Sequence, residues 1–157
     1  MESMETTEIK QEEWKKLFVQ MDSMEQYALI NAWKKVNMGY KSFHCIRKME
    51  RCSISEYAIN RTWENNHIIE FKVKDGNKRL VIRSVESFEC NYDICNNGEK
   101  VRYNKEAEPC NVCLVVDMDS GNIITCYTCP ISMKNQYKNK YLFDSSYSYA
   151  TDVRMYL

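Results

Sequence analysis

The stretch that determines the fold is HIIEFKVKDGNKRLVIRSV, residues 67–85, because it predicts two strands joined by a tight turn. In its first half, apolar residues alternate with charged ones and predict a strand with one buried face: Ile69, Phe71 and Val73. The residues at 75–77, Asp-Gly-Asn, tolerate a positive φ and predict the hairpin turn. In the returning half, one face would carry Leu80 and Ile82. The other face would carry Arg79, Val81 and Arg83.

A second hairpin is predicted where CLVVDM (113–118) and IITCYT (123–128) flank the turn DSGN. The polar residues 86–109 lie between the two hairpins, and we predict one short strand among them, near 100–103. Before residue 67 the apolar residues recur every three or four positions. This spacing predicts helices over about 8–22 and 24–38, from about 42, and over about 54–65. Helices followed by antiparallel strands indicate an α+β fold, with N-terminal helices packed on a small antiparallel sheet of about four strands.

Three parts are expected along the 157 residues: an N-terminal helical hairpin (1–41), an α+β core (42–130) with a cysteine-containing insertion (86–109), and a tyrosine-rich tail (131–157). No apolar run approaches the roughly 18 residues that a membrane-spanning helix needs. The N-terminus is acidic and polar, unlike a secretory signal. We therefore expect a cytoplasmic protein that does not contact a membrane.

The formal net charge of zero conceals a segregation of charge along the chain. Residues 31–83 hold twelve Lys and Arg against five Asp and Glu, whereas residues 1–30 hold three against seven and residues 84–130 three against eight. A basic segment between two acidic ones is compatible with an anionic partner such as RNA. Solvated faces whose charges cluster without a ligand would produce the same pattern.

The basic segment includes SFHCIRKMERCSIS, residues 42–55, which predicts a helix with a basic face. His44, Lys48 and Arg51 recur on one side of this helix. A histidine can move protons near neutral pH, and fixed cations can stabilise the charge on a phosphorane, so this set suits RNA cleavage without a metal. Arg83 could join it from the sheet. Candidate RNA-binding cations beside it are Lys41 and Arg47. The alternative is a solvated face on which His44 packs at the helix start.

The same residues resemble a pattern of the RelE-like ribonucleases, the barnase–EndoU–colicin–RelE group. The matching segments are HCIRKMERCSIS (44–55), LVIRS (80–84) and the closing GNIITCY (121–127), so the resemblance covers about residues 42–130. Two departures accompany it. Lys48 stands where the pattern has its first Arg, and Arg51 falls one position before the second. Residues 86–109 are also longer than the pattern needs.

The resemblance implies a RelE/barnase-like fold and a metal-independent endoribonuclease toxin, of the kind found in phages, mobile elements and toxin–antitoxin pairs. It implies RNA as substrate and an antitoxin or immunity protein as partner. His44 would be the acid/base for attack by the 2′-hydroxyl, with no cofactor for catalysis. Lys48, Arg51 and Arg83 would hold the phosphate. The residues that would position it or stack on a base are Thr125 and Tyr127.

Eight cysteines include two Cys-x2-Cys pairs, at 110–113 and 126–129, a spacing typical of zinc sites. Because residues three apart on a strand face opposite sides, the pair in the final strand is a poor ligand set. The tetrad that could bind a structural zinc is Cys90, Cys95, Cys110 and Cys113. Buried free thiols are the alternative. A second functional hypothesis follows: a non-catalytic, zinc-stapled interaction module that binds nucleic acid or inhibits another protein, as phage-borne inhibitors do.

Overall fold

The computed structural model describes residues 13–96, 99–104, 106–133 and 152–157. In this part of the chain the helices are α1 (Ser23–Lys34), α2 (Phe43–Cys52) and α3 (Glu56–Glu64). The strands are β1 (Glu13–Leu17), β2 (Asn66–Lys74), β3 (Asn77–Ser84), β4 (Phe88–Cys90), β5 (Asp93–Asn96), β6 (Glu99–Tyr103), β7 (Glu108–Asp117) and β8 (Ile123–Pro130). Each helix begins after a side chain that accepts a hydrogen bond from the first turn: Asp22, Ser42 and Ser55. The predicted α+β class and both hairpins are confirmed.

Six strands form one antiparallel sheet in which β1, β2, β3 and β7 are successive neighbours and β8 also pairs with β7. β3 pairs with the end of β7, where Arg83 lies opposite Cys113. β4 pairs with the beginning of β7, where Phe88 lies opposite Cys110. β3 and β4 therefore pair with successive parts of the same edge of β7. The sheet has more strands than the four predicted, and β5 and β6 form a separate ribbon.

All three helices pack on one face of the sheet, which we call the covered face. Its core joins strand residues such as Phe71, Ile82 and Leu114 to Leu29 of α1 and Ile59 of α3, and all five are fully buried. Burying a side chain of this size stabilises the fold by about 1.5–3 kcal/mol. On the opposite face, where none of the three helices packs, the described strand residues form a smaller cluster whose first three members are buried: Ile69, Val81, Val115, Ile124 and Tyr127. We call this second face the open face.

The predicted helix over 8–22 is wrong, because its described residues form β1 and a short 3-10 turn, Phe18–Gln20. β1 pairs with β2 so that Trp14 lies opposite Val73 and Leu17 opposite Glu70. Trp14 points to the covered face and Leu17 to the open face, and both are buried. The helix-like spacing of these two apolar residues thus arises from a strand that buries side chains on both faces. Residues 1–12 lie outside the described part.

Both ends of the described chain pack against the sheet rather than standing apart from it. The backbone N–H of Val153 donates to Glu25 Oε2 at 3.1 Å, and the ring of Tyr156 lies 5.1 Å from that of Trp14. Residues 134–151, which include most of the predicted tyrosine-rich tail, lie outside the described part. The insertion 86–109 contains three strands instead of the one predicted. No helix in the described ranges has the length and apolarity needed to cross a membrane.

Candidate functional site

Strand register aligns polar side chains in a row across the open face. His67 of β2 lies opposite Arg83 of β3, Arg83 lies opposite Cys113 of β7, and Cys113 lies opposite Tyr127 of β8. Directly opposed residues on one face have Cβ atoms about 5 Å apart. Four adjacent strands therefore present a histidine, an arginine, a thiol and a phenol in one line. We call this line the His67 row.

A β-bulge directs His67 toward the open face. The pairing of β2 with β3 shifts by one residue between Ile68 and Glu70. On the far side of the bulge Ile68 packs against the covered core and lies opposite Ile82, so its neighbour His67 must point the other way. Without the bulge, strict alternation from Phe71 would turn His67 toward the helices. Bulges next to functional sites commonly re-aim a side chain in this manner.

A second polar row crosses the open face four residues earlier on β3. It runs from Lys15 of β1 through Lys72 and Arg79 to Asp117 of β7, each opposite the next. Lys15 also contacts Glu70, with Nζ and Oε2 3.8 Å apart. We call this line the cation row. Between the two rows, Glu70 of β2 lies opposite both Leu17 and Val81, and the line continues through Val115 to Thr125.

Two clefts meet at His67 and Arg83. One, of about 280 Å³, is lined by both residues and by the end of β1, including Leu17. The other, of about 220 Å³, is lined by both residues and by Asn111 and Ile131. His67 is exposed and Arg83 half-buried. Because drug-sized ligands occupy pockets of about 300–1,000 Å³, these clefts suit a small group such as a phosphate.

Cys113 sits between Arg83 and Tyr127 in the His67 row and is 1% exposed. Burial raises the pKa of its thiol well above the usual value, and a hydrogen bond with Cys129 raises it further. The charge of Arg83 and a hydrogen bond with Tyr127 oppose these effects without cancelling them. The thiol therefore stays protonated at neutral pH, so it is a poor nucleophile. It is a buried, uncharged member of the row.

The site residues predicted on the helix that begins near residue 42 lie on α2. The helix packs on the covered face through Cys45 and Met49. His44 and Arg51 are exposed, and Lys48 forms an ion pair with Asp93 of β5. The predicted basic face of the helix therefore exists, but its lysine is partly neutralised by the insertion.

The remaining predicted residues lie elsewhere. Arg83 and Tyr127 belong to the His67 row, and Thr125 lies beside it on the open face. The sheet thus separates them from the α2 residues, and the structure does not assemble the six predicted catalytic residues into one site. Of the two predicted RNA-binding residues, Lys41 forms an ion pair with Glu56 at 3.0 Å and Arg47 is exposed.

The predicted zinc tetrad is not assembled by the described residues. Cys110 belongs to the covered core, whereas Cys113 lies on the open face. These two thiols point away from each other across the sheet and cannot bind the same ion. Cys90 is buried beside Cys110, and the side chain of Cys95 lies outside the described part. The described ranges contain no group of three or more His, Cys, Asp or Glu side chains placed to hold a metal ion.

Comparison of the chain with protein-family models, with curated proteins and with solved structures finds no match. The resemblance to the RelE-like ribonucleases therefore stays a prediction from the motif residues. The site residue that sequence reasoning missed is His67. The sequence signal was a histidine at the start of a strand that forms a hairpin with the strand of Arg83.

Proposed function

We propose that this protein is a metal-independent endoribonuclease that binds single-stranded RNA across the open face. The observation that carries the proposal is the direct opposition of His67 and Arg83 between the two clefts. An acid/base and a fixed cation beside one another are what transfer of an RNA phosphate to its own 2′-hydroxyl requires. The motif resemblance supports the same activity but assigns its acid/base to His44.

His67 would act as the general base in this reaction. It would accept the proton of the 2′-hydroxyl as the 2′-oxygen bonds to phosphorus. The bond to the 5′-oxygen then breaks, the leaving oxygen takes a proton from water, and a 2′,3′-cyclic phosphate remains. Arg83 would bind the non-bridging oxygens, on which negative charge accumulates in the transition state. Tyr127 would stack on a base in the same row.

The cation row would bind the RNA backbone at a second point, at a distance from the reacting phosphate. Lys72 and Arg79 lie directly opposite each other. Arg79 and Arg83 are four residues apart on one strand, a separation of about 13 Å. RNA binding should therefore weaken with rising salt, as expected for a site that displaces counterions from phosphates.

The decisive experiment compares His67→Ala with His44→Ala, since each removes one exposed histidine from an opposite side of the sheet. Purified protein is incubated in EDTA with end-labelled single-stranded RNA, and the new ends are analysed for 2′,3′-cyclic phosphate. We expect His67→Ala to lower the cleavage rate by about 10²–10⁴-fold. Arg83→Ala should do the same, and His44→Ala should retain activity.

The remaining outcomes would contradict the proposal or favour another function. Loss of activity in His44→Ala alone would refute the open-face site and move catalysis to α2, where the resemblance puts it. No cleavage by folded wild-type protein, with ribosomes also supplied, would refute the ribonuclease proposal. Binding of the same RNA without cleavage would then favour the non-catalytic nucleic-acid binder. Absence of both would favour an inhibitor of another protein.

A further inference from the structure

The thiols of Cys45 and Cys126 are in contact where α2 packs on β8. Their Sγ atoms are 3.7 Å apart, and the Sγ of Cys126 lies 3.6 Å from the carbonyl oxygen of Cys45. Both residues are 0% exposed. They are 81 positions apart in the chain, so only the tertiary fold brings them together.

The two thiols differ in acidity in the way that a redox pair requires. Cys45 is in the first turn of α2, where its backbone N–H donates to the cap residue Ser42, and a helix N-terminus favours a thiolate. The hydrogen bond between the two thiols lowers the pKa of Cys45, burial raises it, and the charge of Lys41 lowers it again, with a lowered pKa as the result. The same hydrogen bond and burial raise the pKa of Cys126.

Two other buried thiols on the covered face, Cys90 and Cys110, lie in different surroundings. Burial raises the pKa of Cys90 to about 11 and that of Cys110 to about 12. The Cys110 thiol donates a hydrogen bond to the carbonyl oxygen of Cys90, at 3.7 Å. A pair of sulfurs in contact, one of them acidic, distinguishes Cys45 and Cys126 from them.

We propose that Cys45 and Cys126 form a reversible disulfide when the protein meets a peroxide. The Cys45 thiolate attacks one oxygen of hydrogen peroxide, the O–O bond breaks, and hydroxide leaves, which gives a sulfenic acid. The Cys126 thiol then displaces that oxygen as water and the S–S bond forms. Two thiol protons and two electrons leave the protein, and the peroxide becomes two waters. A dithiol reductant reduces the disulfide and restores both thiols.

The disulfide would link two distant parts of the chain. For the bond to form, the two sulfurs must approach from 3.7 Å to about 2.05 Å. The bond would tie α2, which carries His44, to β8, which carries Thr125 and Tyr127. A disulfide that closes so long a loop should raise the midpoint of thermal unfolding by roughly 10 °C.

The test treats the folded, reduced full-length protein with hydrogen peroxide, blocks remaining thiols with N-ethylmaleimide and maps disulfides by mass spectrometry without reduction. Trypsin isolates Cys45 on peptide 42–47, whereas peptide 106–134 contains Cys126 and three other cysteines, so fragmentation must locate the bond. We expect a cross-link between Cys45 and Cys126, two hydrogens lighter than the thiols and removed by dithiothreitol. The rise in the unfolding midpoint should be absent in Cys126→Ser.

Cys113→Ser is the matched control, because it removes a buried thiol from the opposite face, and it should keep both the cross-link and the stabilisation. The proposal is overturned if the cross-link forms only in urea. It is equally overturned if peroxide converts Cys45 to a sulfinic acid without a cross-link, or if Cys113→Ser abolishes the bond. None of these readouts depends on RNA cleavage, so failure here is distinct from failure of the proposed ribonuclease.

Discussion

Replacing Lys16 by Met should destabilise the protein strongly, because Lys16 neutralises a buried carboxylate. Lys16 lies on β1, and its Nζ is 3.0 and 2.8 Å from the two carboxylate oxygens of Glu25 in the first turn of α1. Lys16 is 9% exposed and Glu25 2%. The carboxylate also accepts the backbone N–H of Asp22 at 3.0 Å and of Val153 at 3.1 Å. One ion pair therefore joins β1, α1 and the C-terminal residues.

The expected loss in the free energy of unfolding depends on the hydrogen bonds that Glu25 keeps after the substitution. Removing one partner of a buried ion pair typically costs about 3–5 kcal/mol. Two backbone donors still serve Glu25, so we expect the lower end, a loss of about 3 kcal/mol in the free energy of unfolding at pH 7. Urea unfolding followed by circular dichroism measures it. Lys15→Met is the neighbouring control, and its loss should stay within about 1 kcal/mol because its pair with Glu70 is long, at 3.8 Å.

The pH dependence provides a second check. Burial raises the pKa of Glu25, but hydrogen bonds from Lys16, Asp22 and Val153 outweigh it and leave the pKa below its usual value. The stability contributed by Glu25 is therefore present above its unfolded pKa, about 4.3, and is lost as the pH falls through the folded pKa. In Lys16→Met the Glu25 carboxylate is still buried but has lost its lysine partner. Protonating Glu25 removes the unpaired charge, so the destabilisation caused by the substitution should be smaller at low pH. A loss under about 1 kcal/mol at pH 7, or one that does not shrink at pH 4, would refute this reasoning.

Three further predictions concern the frame of the sheet. Gly121 has φ +77°, and an added Cβ would lie 1.8 Å from the carbonyl oxygen of Asn37. At Gly76 an added Cβ would meet only the strain of a positive φ, about 1–2 kcal/mol. In urea unfolding, Gly121→Ala should therefore lower the free energy of unfolding by at least about 2 kcal/mol more than Gly76→Ala does. Ser42→Ala removes the cap of α2 and should cost about 1 kcal/mol, whereas an unchanged unfolding midpoint would show that the cap contributes nothing. Because burial raises the pKa of Cys110 to about 12, iodoacetamide at pH 8 should spare Cys110 until urea is added, as peptide mass mapping would show.

Local signals in the sequence predicted the parts of the fold that depend on near neighbours. The turn at 75–77 joins β2 and β3, with Asp75 and Gly76 both at positive φ, and Ser42, near which the third predicted helix begins, is the cap of α2. These features depend on side-chain chemistry within a few positions of the chain. The α+β class followed from them.

Pairing between distant segments could not be predicted in the same way. β1 joins the sheet by pairing with β2, more than fifty residues later. The central contact of the sheet, β3 with β7, spans an insertion that contains three further strands. Such contacts depend on the burial that the whole sheet achieves, and the sequence of either strand alone does not record its partner. For the same reason the sheet has more strands than the hairpins indicated.

The location of the candidate site depends on one inserted residue. From the turn to Glu70, paired positions of the hairpin follow the register in which Lys74 lies opposite Asn77. Continued unchanged, that register would place Ile68 opposite Arg83 on the open face and turn His67 toward the helices. The bulge shifts the pairing by one, so that His67 meets Arg83 and Ile68 joins the covered core. Bulges leave little trace in an alternating sequence, which is why periodicity placed Arg83 on the face opposite Leu80 and Ile82 but did not indicate that His67 shares that face.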